Sequence, residues 1–90
     1  MSKFIFTYNI TTADGTSNDV EHKFRTSARS VDGAIVKLVD TINNNGVVQI
    51  TKEQRESKSN IVYAVNGDPV IVGFIINASK AKVFCSIAEA

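Results

Sequence analysis

Two side chains of this sequence could act together as a nucleophile and its base, and they are His22 and Cys85. A cysteine attacks as the thiolate, which forms at neutral pH only where a neighbouring base or positive charge lowers its pKa. His22 is the one histidine and Cys85 the one cysteine, so this chemistry requires the fold to bring them together. Each also has a structural interpretation, because histidine packs at the margin of a core and cysteine packs as a small apolar side chain. We favour the structural interpretation of both, and we expect no enzyme activity.

The carboxylates and glycines give no catalytic, metal or cofactor motif. Asp14, Asp19 and Asp68 lie in turn-forming sequence, where aspartate serves the backbone. Glu53 and Glu56 lie among basic residues in a polar segment, and not in an apolar strand, where a catalytic carboxylate would be expected. A zinc site needs more than one histidine and one cysteine, and the glycines do not have the spacing of a phosphate-binding loop. We therefore expect no metal and no cofactor.

The charged residues include two basic groups, but the overall charge does not indicate a strongly charged binding partner. Ten basic and nine acidic side chains leave a net charge of +1, whereas nucleic-acid-binding domains usually carry a clear basic excess. One group is Lys23, Arg25 and Arg29, and the other is Lys52, Arg55 and Lys58. Acidic residues interrupt both groups, as on an ordinary solvated surface. The first group could contact phosphates, and the second lies in a polar segment, 52–59, that we predict to be an exposed loop capable of recognition.

Strands and turns account for most of the remaining sequence. Alternation of apolar and polar residues, rich in aromatic and β-branched types, predicts strands. The predicted strands are 4–11, 20–26, 47–51, 60–65, 70–76 and 81–88. Asp14-Gly15 and Asn66-Gly67 predict hairpin turns, since both central residues of a type I′ turn need a positive φ.

One helix is predicted between the second and third of these strands. Its apolar residues fall at i, i+3, i+4, i+7, i+8 and i+11, which is one continuous helical stripe. They are Val31, Ala34, Ile35, Leu38, Val39 and Ile42. Ser30 is placed to cap the start of the helix, and Gly46 or a neighbouring asparagine to end it.

This order predicts a single α+β domain over residues 1–90. The elements run β-β-α-β-β-β-β, and the short links favour a mostly antiparallel sheet with the amphipathic helix packed on one face. The longest apolar run, 70–76, is too short to cross a bilayer, and the first residues do not have the apolar core of a signal peptide. We expect a cytoplasmic protein that does not associate with a membrane.

The segment 70–76 gives a further sequence argument for an interaction surface. Val70, Val72, Phe74 and Ile76 would face the helix, while Ile71 and Ile75 would face the other side of the sheet. Ile5, Val62 and Phe84 could share that second side. Such a sheet needs a second cover, which strong curling of the sheet, a second copy of the chain or another protein could supply.

The leading hypothesis is a non-catalytic protein-interaction protein that self-associates as a dimer. Its role would be that of a regulator, inhibitor or assembly component, such as a bacteriophage accessory protein. The predicted protein-binding residues are Ile71, Ile75, Lys52, Arg55 and Lys58. The alternative is a nucleic-acid-binding module that uses Lys23, Arg25 and Arg29.

Overall fold

Five strands and two helices make up the part of the chain that the computed structural model describes, which is residues 1–12, 18–46 and 48–89. In chain order they are β1 (Ser2–Thr12), β2 (Asn18–Ala28), α1 (Val31–Asn44), α2 (Lys52–Glu56), β3 (Ser59–Val65), β4 (Asp68–Asn77) and β5 (Ala81–Glu89). The predicted turn at Asp14-Gly15 lies outside the described residues. No helix in these ranges is both long and apolar enough to cross a bilayer.

The five strands form one sheet in the order β2-β1-β5-β4-β3, and every neighbouring pair is antiparallel. The predicted fold class, an antiparallel sheet with one main helix, is confirmed. The first and last strands lie side by side at the centre, where Phe6 is opposite Ile87 and Tyr8 is opposite Cys85. The sheet therefore joins two hairpins, β1–β2 and β3–β4, through the pairing of β5 with both β1 and β4.

The core lies between α1 and one face of this sheet. Alternate residues of β1, namely Phe4, Phe6 and Tyr8, are buried there. The Phe6 ring meets Phe74 of β4 edge-on, with 6.2 Å between the ring centroids. The helical stripe supplies the other layer with the buried side chains of Ala34, Ile35, Leu38, Val39 and Ile42.

The ends of α1 agree with the sequence prediction. The Ser30 hydroxyl accepts a hydrogen bond from the Gly33 backbone N–H at 3.1 Å, which satisfies one donor of the first turn. Asn45 caps the other end, and Gly46 follows with φ of +76°. Such a φ suits glycine because it has no Cβ to clash.

The strand predicted at 47–51 is wrong for residues 48–51, which belong to no strand, and Val47 lies outside the described residues. Val48 and Ile50 are nevertheless buried in the core. The Asn43 side chain takes the place of a neighbouring strand. Its Oδ1 accepts from the Ile50 N–H at 2.7 Å, and its Nδ2 donates to the Ile50 carbonyl at 3.0 Å. The alternation thus identified which side chains are buried but not what bonds their backbone.

The charged loop predicted at 52–59 is also wrong, because Lys52–Glu56 is the helix α2. Thr51 and Gln54 form a capping box. The Thr51 hydroxyl accepts from the Gln54 N–H at 3.1 Å, and the Gln54 Oε1 accepts from the Thr51 N–H at 2.9 Å. The pattern Thr-x-x-Gln is visible in the sequence and signals this helix start.

Candidate functional site

His22 and Cys85 share the helix-covered face of the sheet but lie on strands that are not neighbours. Tyr8 of β1 stands between them, opposite His22 in β2 and opposite Cys85 in β5. The Tyr8 and His22 rings stack with centroids 5.1 Å apart. Two strand spacings, roughly 10 Å in all, separate the backbones of His22 and Cys85. The structure does not bring the two residues together as a nucleophile and its base.

Cys85 has the environment of a packing residue. Its side chain is buried, and this burial raises the pKa of the thiol to about 12. The Sγ contacts the backbone carbonyl oxygen of Ser86 at 3.5 Å. Burial, followed by the charge of an ionised Cys85, also raises the pKa of Tyr8. At neutral pH Cys85 is therefore a protonated thiol, which is a weak nucleophile.

Ion pairs neutralise much of the basic group around α2. Lys52 Nζ lies 3.9 Å from Glu56 Oε1 on the exposed surface. Lys58 Nζ lies 3.7 Å from Asp32 Oδ1, in the first turn of α1, and the Lys58 side chain is only 17 % exposed. Arg55 is half-buried. Arg55 and Lys58 lie beside α1, where they line one pocket with Asp32 and Ile35. In the described part of the chain no cluster of His, Cys, Asp and Glu could hold a metal ion.

The face of the sheet opposite α1, which we call the open face, is mixed in character. Its exposed basic side chains are Lys3, Lys23, Arg25 and Lys82. Phe84, on the inner strand β5, is 44 % exposed. Ile75 is half-buried on the same face, between Ser59 of β3 and Phe84. Arg29 is exposed but lies beyond the end of β2, so the structure groups Lys23 and Arg25 without it.

The most exposed apolar feature is the outer part of the β3–β4 hairpin, residues 61–72, which we call the hairpin arm. Pairing between β4 and β5 ends at Gly73, opposite Ser86, so the preceding residues of β4 pair with β3 alone. The arm is therefore a two-stranded ribbon that extends past the five-stranded sheet. Asn66 and Gly67 form its turn with φ of +53° and +85°, which confirms the predicted turn. Six of its large apolar side chains are 42–68 % exposed, and they are Ile61, Val62, Tyr63, Val65, Val70 and Ile71.

A β-bulge marks the root of the arm. Ile61 is opposite Gly73 but the next residue, Val62, is opposite Ile71, so β4 carries one extra residue at Val72. A one-residue shift reverses which side chains face which side. The prediction that Ile71 and Ile75 share one face is therefore wrong. Ile71 lies beside Val62 on the arm, and Ile75 lies on the open face of the sheet.

The predicted protein-binding residues thus occupy three separate places. Ile71 belongs to the arm, Ile75 to the open face, and Lys52, Arg55 and Lys58 to the surroundings of α2. Sequence reasoning missed Tyr63, Val65 and Val70 as surface residues, since each was assigned to an ordinary strand. One signal was present: Asp68 is the only charged residue in 61–72, an unusual composition for a hairpin that faces water on both sides.

Comparisons of the chain with protein-family models, with curated proteins and with solved structures find no match.

Proposed function

We propose that this protein is a non-catalytic interaction protein that self-associates through the hairpin arm, and that it acts as a regulator, inhibitor or assembly component. The observation that carries this proposal is the exposure of six large apolar side chains on a ribbon that only two strands support. An isolated two-stranded hairpin is at best marginally stable in water. A cover over the arm would remove apolar surface from water and hold the ribbon in place.

The composition of the arm favours an apolar occupant. Residues 61–72 contain no lysine or arginine, so the arm offers nothing that would attract a phosphate backbone. The arm of a second copy is an apolar surface of matching size, and a two-fold arrangement presents the same residues to each other. The exposed apolar area is on the order of 500 Å² per chain, a size at which a surface patch is often functional.

The direct test is the mass of the full chain in solution, measured by light scattering after size exclusion over a wide concentration range. We expect a species of twice the chain mass of 9.8 kDa. Tyr63→Glu, at the most exposed apolar position of the arm, should weaken the dimer. Lys23→Glu on the open face is the matched control and should leave the dimer unchanged. A wild-type monomer at every concentration would overturn the proposal.

One observation favours a second candidate function, the binding of single-stranded nucleic acid on the open face. That face carries the exposed Phe84 and four basic side chains, and aromatic rings and cations together bind bases and phosphates. A labelled oligonucleotide should then bind with an affinity that falls steeply as salt rises. Phe84→Ala and Arg25→Ala should each weaken binding, and Arg29→Ala, beyond the end of β2, should have less effect. A binding affinity that does not change with salt or with any of the three substitutions would exclude this function.

We also propose that the protein works in the cytoplasm. Small secreted domains commonly depend on internal disulfides, and a sequence with one cysteine cannot form one.

A further inference from the structure

The two edges of the sheet differ sharply in how they are protected. β2, at one edge, carries Glu21, Lys23 and Arg25 as exposed side chains along its length. Charged residues on an edge strand discourage pairing with another chain. The opposite edge is β3, and its seven residues, Ser59–Val65, include no charged residue and no proline. All seven are exposed, so the backbone groups on the outer side of β3 have the character of an unprotected pairing edge.

We propose that β3 pairs antiparallel with β3 of a second copy and joins the two five-stranded sheets into one continuous ten-stranded sheet. This inference rests on the proposed self-association and specifies how it occurs. An antiparallel pair of identical strands has a two-fold axis, the symmetry that most dimers adopt. Full overlap of the seven residues places the axis at Val62, the middle residue of the strand.

The side chains along this seam are of the types that stabilise strand pairs. With the axis at Val62, each Val62 faces its equivalent, and Ile61 faces Tyr63 of the second copy. Pairs of aromatic and β-branched residues are favourable across antiparallel strands. Tyr63 is the most exposed large apolar residue of the arm, at 68 %. The seam also gives the outer backbone groups of β3 hydrogen-bond partners other than water.

The axis allows a charge-complementation test. Val62→Lys and Val62→Glu each place two like charges about 5 Å apart across the seam, whereas an equimolar mixture places opposite charges there. We expect each variant alone to be largely monomeric and the mixture to form a heterodimer, detected by light scattering and by native mass spectrometry. Val62 is 53 % exposed, and circular dichroism should report an unchanged fold.

The matched control uses Ile71, which is opposite Val62 on the inner strand of the same arm. In the proposed dimer the two copies of residue 71 lie three strand spacings apart, about 14 Å. Ile71→Lys should therefore weaken the dimer much less than Val62→Lys, and mixing with Ile71→Glu should add little. Equal effects at the two positions would point to packing of the arm's face and would overturn the edge pairing.

A second measurement covers the case in which charge at Val62 disturbs the hairpin. Val62→Cys is conservative in size, and cysteines directly opposite each other in antiparallel strands lie within disulfide reach. Mild oxidation should cross-link this variant into a dimer, while Ile71→Cys and the wild type, with Cys85 buried, should remain uncross-linked. A wild-type monomer overturns both proposals. A wild-type dimer in which Val62→Cys does not cross-link, or in which the two charge variants fail to complement, overturns the edge pairing alone.

Discussion

Gly73 lies so close to the carbonyl oxygen of Cys85 that no methyl group could stand between the two strands at this point. In chain order, Gly73 is the first residue of β4 that pairs with β5, and it adjoins the bulge at Val72. The close approach therefore fixes the place where the hairpin arm leaves the sheet.

Replacement of this glycine should be costly. Gly73→Ala forces its new methyl group against the Cys85 backbone, and neither strand can move without disturbing the core. We expect a loss of about 1–3 kcal/mol in the free energy of unfolding, measured by urea denaturation. The control is Gly33→Ala in α1, where the nearest atoms, Ser30 Oγ and Ala28 Cβ, are 3.4 and 3.7 Å away. It should change stability little or raise it by up to about 1 kcal/mol. Equal tolerance of both changes would contradict the close approach.

Asn43 should be necessary for the segment that follows α1. Asn43→Ala removes both hydrogen bonds to the backbone of Ile50 in a partly buried site. We expect a loss of about 1–3 kcal/mol in the free energy of unfolding, with faster hydrogen exchange at the Ile50 amide. Asn44→Ala, one residue along on the exposed surface, should stay within about 0.5 kcal/mol of the wild type. If the two asparagines prove equivalent, Asn43 does not replace a strand neighbour as described.

Cys85 should make the protein less stable in alkali. Its pKa in the fold is about 12, against an ordinary value of 9.0, so the unfolded chain releases this proton first. The stabilising contribution is complete below pH 9 and is lost as pH rises from 9 to about 12. Denaturation midpoints across this range should fall more steeply for the wild type than for Cys85→Ala.

The burial of Cys85 can also be tested by its reactivity. Thiol reagents should modify the native protein slowly and the unfolded protein quickly, and rapid labelling of the native state would contradict the burial.

The proposed dimer should resist salt. Asp68 is the only charged residue in the arm, so added sodium chloride should leave the dissociation constant unchanged, and sulfate should lower it. Sedimentation equilibrium at several ionic strengths measures this directly. A dimer that dissociates as salt rises would instead indicate a charged interface, such as one on the open face.

Local patterns were enough to predict most elements of this fold. The apolar stripe and the Ser30 cap specify α1 within its own segment, and Asn66-Gly67 specifies its turn. The start of α2 also has a local sequence signal, the capping box formed by Thr51 and Gln54. The charged residues around it favoured the prediction of a loop instead.

The parts that could not be predicted depend on distant residues. The backbone of Ile50 bonds to a side chain seven residues earlier, which alternation does not reveal. The bulge at Val72 cannot be seen in the sequence of β4. It nevertheless moves the Ile71 side chain to the opposite side of the strand. Exposure of the arm depends on where β5 stops pairing with β4, a property of neither strand alone.

The central position of the β1–β5 pair has a consequence for biosynthesis. β5 is translated after the other four described strands, so a nascent chain cannot complete this sheet until β5 has left the ribosome. The β3–β4 hairpin closes locally and emerges before β5, and pairing over such a long sequence separation is slow. During that interval the uncharged edge of β3 is already exposed. If the dimer forms as proposed, its two β3 strands would be able to pair on a polysome, where neighbouring chains are close together, before either core has closed.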